Sequence, residues 1–195
     1  MMNHEAARTH HACATLTGAR WGEAGRKAWE AKDGTLVHVR PIEPCDFELE
    51  REFAHGLSQR TRYLRLMSAR RPSTAELERW TNIDRAREGA LIATVSSDGR
   101  ERQVGVARYA MEADDGEAEI AIVVSDGWQR TGLGTHLLSA LVELARQSGL
   151  RRLFGTTLSE NTAMRALARR LGFKLSLEPG AAIFTRVSLA LRPDV

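Results

Sequence analysis

The sequence predicts an α+β domain built on a mixed, mostly antiparallel central sheet flanked by helices. Three observations carry this. Helical patterns cluster early, three strand patterns follow one another in the middle, and a helix–strand–helix–strand order closes the chain. A length of 195 residues suggests one such domain, long enough to stabilise its core without disulfides or a metal.

The elements follow in order. Residues 1–34 show no sustained periodicity and are expected to be a flexible or weakly helical extension, with the stretch from Trp21 to Trp29 able to pack back on the domain. The folded part, 35–195, starts with Leu36, Val37 and Val39 as a strand stopped by Pro41. Pro44 to Leu57 reads as a helix, with Phe47, Leu49, Phe53, Ala54 and Leu57 at mixed three- and four-residue spacings. Ser58 to Met67 reads as a second helix, and Ser73 to Trp80 as a third with Ser73 as its N-cap. Ala90–Val95, Gln103–Met111 and Ala118–Val124 are successive strands, divided by the turn signals Ser97-Asp98-Gly99 and Asp114-Asp115-Gly116. Gly134 to Gln147 carries a stripe of Leu137, Leu138, Leu141, Leu144 and Ala145, and Gly149 ends that helix. Leu153–Leu158 is a short strand. Thr162–Leu171 is a helix with Met164, Leu167, Ala168 and Leu171 on one face and Gly172 as its stop. Ala182–Leu191 is the last strand, after the turn Glu178-Pro179-Gly180.

Composition narrows the function classes. The chain is 43% hydrophobic and 27% charged, which is ordinary for a soluble globular protein. A net charge of +3 and the lack of a basic–aromatic stripe argue against nucleic acid as a partner. Lysine occurs only at Lys27, Lys32 and Lys174, so the positive surface is almost all arginine, which pairs well with phosphate oxygens. No apolar run suffices to span a membrane, and the N-terminus lacks the apolar core of a signal peptide; a cytoplasmic protein without a membrane partner is expected. Cys13 and Cys45 form no metal-ligand pattern, and free thiols in a reducing compartment are expected. No metal site is expected; His4, His10 and His11 have no carboxylate or cysteine partners in the sequence.

The stretch Ile122-Val123-Val124-Ser125-Asp126-Gly127-Trp128-Gln129-Arg130-Thr131-Gly132-Leu133-Gly134-Thr135 carries the chemistry. A strand enters it and a helix leaves it. Such a loop gathers backbone N–H groups, and the helix adds its unpaired N-terminal N–H groups and the positive end of its dipole. That combination suits a pyrophosphate. Gly132 and Gly134 let phosphate oxygens approach the backbone. A Walker A loop is excluded, because Lys and Ser/Thr do not follow the last glycine. A Rossmann fingerprint is excluded, because Leu137 stands where its third glycine belongs.

Gln129-x-x-Gly132-x-Gly134 between a strand and a helix resembles the acetyl-CoA signature of the GCN5-related N-acetyltransferase (GNAT) superfamily, and Asn161 with Leu171-Gly172-Phe173 resembles its closing helix and strand. The resemblance covers about residues 36 to 190. Val39-Arg40-Pro41-Ile42, Thr61-Arg62-Tyr63-Leu64-Arg65, Thr81-Asn82-Ile83-Asp84, Val104-Gly105-Val106-Ala107-Arg108-Tyr109 and Ala118-Glu119-Ile120-Ala121 resemble the acetyltransferase domain of bacterial Pat-type protein lysine acetyltransferases. The resemblance implies a GNAT-like sheet, acetyl-CoA as cosubstrate, and direct acetyl transfer to an amine, with a protein lysine as the expected acceptor and a small amine as the alternative. It implies that Ile122 and Val124 pair with the pantetheine arm. Arg130, Thr131, Gly132, Leu133, Gly134 and Thr135 would cradle the pyrophosphate, Gln129 would order the loop, and Asn161 would contact the cofactor. Thr131 stands where the superfamily often has a basic residue, which shifts phosphate contacts towards Arg130.

The reaction needs a proton acceptor, because an alkylammonium has a pKa near 10.4. A carboxylate can take that proton directly or through water. Glu117 and Glu119 share one strand face, so spacing does not choose between them. The resemblance points to Glu119, since Pat-like domains carry a glutamate there as general base. Many GNAT enzymes have a tyrosine acid on the final helix; Ala168 stands in that place here. His136 and Trp128 are expected to be structural. Arg60, Arg62, Arg65, Arg70 and Arg71 form a basic cluster, expected as a solvated face or as a contact for an acidic partner or the CoA 3′-phosphate. The acceptor pocket draws on variable loops and can draw on a second subunit, so a homodimer is among the expected partners. Regulation by an appended domain is not expected. A domain that senses acyl-CoA without turnover is the competing class.

Overall fold

The computed structural model describes residues 27–68, 70–178 and 181–191. Among the described residues, eight strands form one sheet in the order β1-β2-β3-β4-β5-β6-β8-β7. They are β1 (Lys27–Glu30), β2 (Leu36–Pro41), β3 (Glu88–Ser97), β4 (Arg100–Ala110), β5 (Glu117–Val124), β6 (Arg152–Leu158), β7 (Lys174–Glu178) and β8 (Ala181–Ala190). Every neighbouring pair is antiparallel except β5 and β6. The mixed, mostly antiparallel sheet flanked by helices is the expected architecture.

The helices are α1 (Phe47–Gly56), α2 (Gln59–Leu66), α3 (Thr74–Thr81), α4 (Leu133–Gln147) and α5 (Thr162–Arg170). The apolar stripe of α4 buries Leu137, Leu138, Leu141, Leu144 and Ala145 against Leu91, Ala93, Ala107, Ala118 and Ile120 of the sheet. On the opposite face, Phe53 of α1 and Leu57 pack with Ile42, Ala90, Ile92 and Val106. The central strand β3 is therefore buried on both faces, which is why it reads as a nearly continuous apolar run. Burying a large apolar side chain stabilises the fold by about 1.5–3 kcal/mol, so the α4 stripe is the main anchor of the sheet. Ser73 caps α3 by accepting from the Glu76 N–H, and Glu76 returns to the Ser73 N–H. Arg40 on β2 ties the turn before α1 to the sheet through a bidentate pair with buried Asp46 at 2.7 and 2.8 Å.

Three features depart from expectation. Lys27–Glu30, expected within the flexible extension, pair with β2 as an edge strand; Trp29 there stacks on His136 with ring centroids 5.4 Å apart. Lys174–Glu178, not expected as a strand, pair with β8 to form the other edge. Cys45 is disulfide-bonded rather than a free thiol. Cys13, the N-terminal histidines, Trp21 and the Pro179-Gly180 turn lie outside the described residues.

Candidate active site

The sheet parts where its single parallel pair lies. β5 and β6 are in register only from Glu117 opposite Arg152 to Glu119 opposite Phe154. Beyond that, β5 runs on to Val124 paired only with β4, and β6 runs on to Leu158 paired only with β8. A wedge thus opens between them, and Ala121, Ile122, Val123 and Val124 are only half-buried although they lie mid-sheet. The β5 edge along Ile122 and Val124 has no strand partner on the wedge side, the arrangement that accepts an extended amide-bearing chain as an added strand. Gly155 sits at the apex, where a Cβ would lie 3.1 Å from the Ile120 carbonyl oxygen.

A braced turn follows β5. The Ser125 N–H donates to the Val104 carbonyl at 2.9 Å, and Asp126–Trp128 form a 3-10 turn. Asp126 accepts from the Ser58 N–H at 2.9 Å, the Ser58 hydroxyl at 2.7 Å and the Thr61 hydroxyl at 2.7 Å. Burial raises its pKa, but the hydrogen bonds from Ser58 and Thr61 outweigh that and hold the carboxyl below its usual value. Gln129 donates to the Thr61 hydroxyl at 3.0 Å and to the Val124 carbonyl at 3.2 Å, so one amide ties the loop to both α2 and β5.

The loop then takes positive φ at Arg130 (63°) and Gly132 (104°). Backbone of this kind forms concavities that bind anions. Thr131 donates its hydroxyl to the Trp128 carbonyl at 2.7 Å and accepts from the Leu133 N–H at 3.4 Å, so it shapes the turn. Leu133 is fully buried and fixes the start of α4, while the N–H groups of Gly134 and Thr135 belong to the first turn, which lacks intrahelical partners. A Cβ at Gly134 would meet only Leu167 at 3.6 Å and Val124 at 3.8 Å, ordinary contacts. Packing does not require glycine there, whereas close approach of a ligand would. Asn161 caps α5 by accepting from the Met164 N–H at 3.1 Å.

The opposite wall of the cleft is polar and charged. Glu117 pairs with Arg152 at 3.2 Å, whereas Glu119 is exposed and makes no hydrogen bond or ion pair among the described residues. On the same sheet face, α1, α2 and α3 border a small open cavity lined by Glu50, Arg62, Arg65, Trp80, Arg108 and Val123, among others. Glu50 is buried, pairing with Arg108 at 3.2 Å and accepting from Gln103 at 2.5 Å. Arg108 also donates to the Trp80 carbonyl at 3.1 Å and lies 5.4 Å from the Trp80 ring centroid.

Comparison with known proteins decides what this arrangement is. Residues 54–173 match the model of the acetyltransferase (GNAT) family. The chain belongs to the GNAT family.

The acetyltransferase PA5475 of Pseudomonas aeruginosa is 34% identical over 180 residues, covering 92% of this chain and 94% of that protein. The acetyltransferase Pat of Mycolicibacterium smegmatis is 30% identical over 161 residues, covering 82% of this chain but 48% of its own length. The GNAT domain of S. lividans PAT superposes with a TM-score of 0.76 at 25% identity, covering 88% of this chain and 98% of that domain. The resemblance to Pat-type domains therefore holds in sequence and in structure. The yncA acetyltransferase of Salmonella typhimurium, solved with its cofactor acetyl-CoA, shares the fold at a TM-score of 0.64 and 21% identity, covering 82% of this chain and 96% of that one.

Several GNAT-site details were not read from the sequence. The register of β3 against β4 shifts between Ala93 and Thr94, leaving Val104 as an extra residue whose carbonyl holds Ser125. Gly105 inside a strand pattern was the available signal. The buried Glu50 was missed, although it shares a helical stripe with Phe53, Ala54 and Leu57. The expected basic cluster divides: Arg60 pairs with Glu160 at 3.1 Å and Arg70 with Glu76 at 2.6 Å, while Arg62 and Arg65 line the cavity. His136 stacks on Trp29, and Trp128 packs against the core.

Proposed function

We propose that this chain is an N-acetyltransferase that moves an acetyl group from acetyl-CoA directly to an amine. One observation carries the reading: the β5–β6 wedge runs straight into the braced Gln129–Gly134 loop and the α4 N-terminus. The residues fit the cosubstrate along its length. Ile122 and Val124 would pair with the amides of the pantetheine arm, and Arg130 to Thr135 would hold the pyrophosphate, with Gln129 keeping the loop in place. Asn161 spends its oxygen on the α5 cap, so its amide nitrogen is the group left to contact the cosubstrate.

Acetyl-CoA supplies an activated thioester. The chain's residues hold it and remove the amine's proton. Glu119 lies on β5 at the mouth of the wedge and on the face of the acceptor cavity, and it is not engaged by another side chain. It takes the ammonium proton directly or through water, and the freed amine then attacks the thioester carbonyl; the C–N bond forms, the nitrogen's second proton passes to water, and the C–S bond breaks. Ala168 offers no acid, so solvent or another group protonates the departing sulfur. A protein lysine is the acceptor that kinship with Pat-type domains favours; a small amine is the alternative.

Replacing Glu119 by Gln tests both the base and the enzyme reading. The expected outcome is a fall in kcat of roughly 10²- to 10⁴-fold, with acetyl-CoA binding unchanged by calorimetry. Equal, negligible transfer by wild type and Glu119→Gln across amines and proteins, with acetyl-CoA still bound, would establish an acyl-CoA sensor instead.

A further inference from the structure

The cavity beside β5 carries more positive charge than it neutralises. Arg62, Arg65 and Arg108 line it, with Glu50 as the one carboxylate among the lining residues. Glu50 is already committed on both oxygens, one to Arg108 and one to Gln103. The terminal nitrogens of Arg108 are engaged as well, by Trp80 and Glu50. Arg62 donates one terminal nitrogen to the Leu57 carbonyl, yet its Nε is buried without a hydrogen-bond partner. Arg65 lines the cavity and makes no hydrogen bond or ion pair among the described residues, so its donors are uncommitted.

That guanidinium is partly buried and no side chain pairs with it. Burial, and then repulsion from Arg108, pulls the Arg65 pKa down to about 10, against the opposing pull of Glu50 and Glu119. Such a group is stabilised by an anion, and a planar carboxylate matches its paired donors. The rest of the wall is apolar, with Phe53, Leu57, Leu66 and Trp80. The same positive field disfavours an ammonium and so assists the proton loss that acetyl transfer needs.

We propose that Arg65, with Arg62 beside it, binds a carboxylate carried by the amine acceptor close to its reacting nitrogen. The proposal rests on the acetyltransferase reading only in taking this face as the acceptor side. The carboxylate has two sources: the α-carboxylate of a free amino acid, or an acidic side chain next to a target lysine. Arg65 is a specificity-determining residue here, and removing it leaves the Glu50–Arg108 pair intact.

The test has a kinetic and a binding part. Leucine is compared with leucinamide, and an N-blocked Ala-Asp-Lys-Ala peptide with its Asn counterpart, at saturating acetyl-CoA. The carboxylate member of the active pair is expected to have the higher kcat/KM by roughly 10- to 100-fold, mostly through KM. Arg65→Gln should bring that ratio close to one, and Arg65→Lys should restore part of it. The pair that turns over identifies the source. In parallel, isovalerate and isovaleramide are titrated onto CoA-saturated protein by ligand-observed NMR. Isovalerate should bind to wild type, isovaleramide should not, and Arg65→Gln should lose isovalerate while keeping its thermal unfolding midpoint. Neutral acceptors as good as charged ones, or isovalerate that fails to bind or ignores Arg65→Gln, overturn the proposal. Isovalerate binding without turnover of any acceptor would instead sustain the carboxylate site and defeat the acetyltransferase reading.

Discussion

At the residue scale, Asp126 shows how a single carboxylate organises the site. It collects three donors from Ser58 and Thr61 and so fastens α2 to the turn that begins the Gln129–Gly134 loop. Asp126→Asn keeps the size but weakens three charge-assisted bonds, and because the group is exposed the expected loss is only about 1 kcal/mol in urea unfolding. The pH dependence has a definite sign. The folded-state pKa lies below the ordinary 3.8, so the contribution is complete above 3.8 and is lost as pH falls through the lower, folded value. Wild type should therefore lose its advantage over Asp126→Asn in strongly acidic urea titrations and keep it near neutrality. Glu117 and Glu119 make the complementary point. They are equivalent by strand alternation, and only the Arg152 side chain across the parallel pair separates them. The Arg152 pairing could not be foreseen, since it depends on which strand neighbours β5.

At the element scale, the wedge depends on how closely β5 and β6 meet before they part. Gly155 permits that contact, because any Cβ would press within 3.1 Å of the rigid Ile120 carbonyl. Gly155→Ala should destabilise the fold by about 1–3 kcal/mol and shift the point where the strands separate. The kinetic signature is a raised KM for acetyl-CoA, since the displaced edge is the one the pantetheine arm would follow; an unchanged KM would place that arm elsewhere. The five helices were largely legible because each shows an apolar stripe or a cap, as with Ser73 and Glu76 at α3. The edge strands were harder. Lys27–Glu30 and Lys174–Glu178 are short, and pairing with β2 and β8 rather than any periodicity makes them strands.

At the scale of the whole molecule, the proposed cosubstrate site is shared among β5, α4 and, through Gln129 and Asp126, α2. Ligand binding should therefore stabilise the domain as a unit. Acetyl-CoA at about 100 times its Kd contributes roughly 2.7 kcal/mol by mass action. For a chain of 195 residues that corresponds to a rise in Tm of about 5–10 °C. Calorimetric scans with acetyl-CoA check this. A rise of the same size with free acetate would contradict it, because acetate cannot bridge the wedge and the loop.

The sequence by itself determined the family, the order of most elements and the glycine-bearing loop between β5 and α4. These rest on local signals: glycines at fixed spacing, a strand running into a helix, and apolar stripes of period 3.6. Tertiary structure alone decided which glutamate is left unpaired, where the sheet opens, and that Glu50, Arg62, Arg65 and Arg108 meet in one cavity. The physical reason is distance along the chain. Glu50 and Arg108 are joined only through the packing of α1 on β4, and no short-range pattern records such a contact.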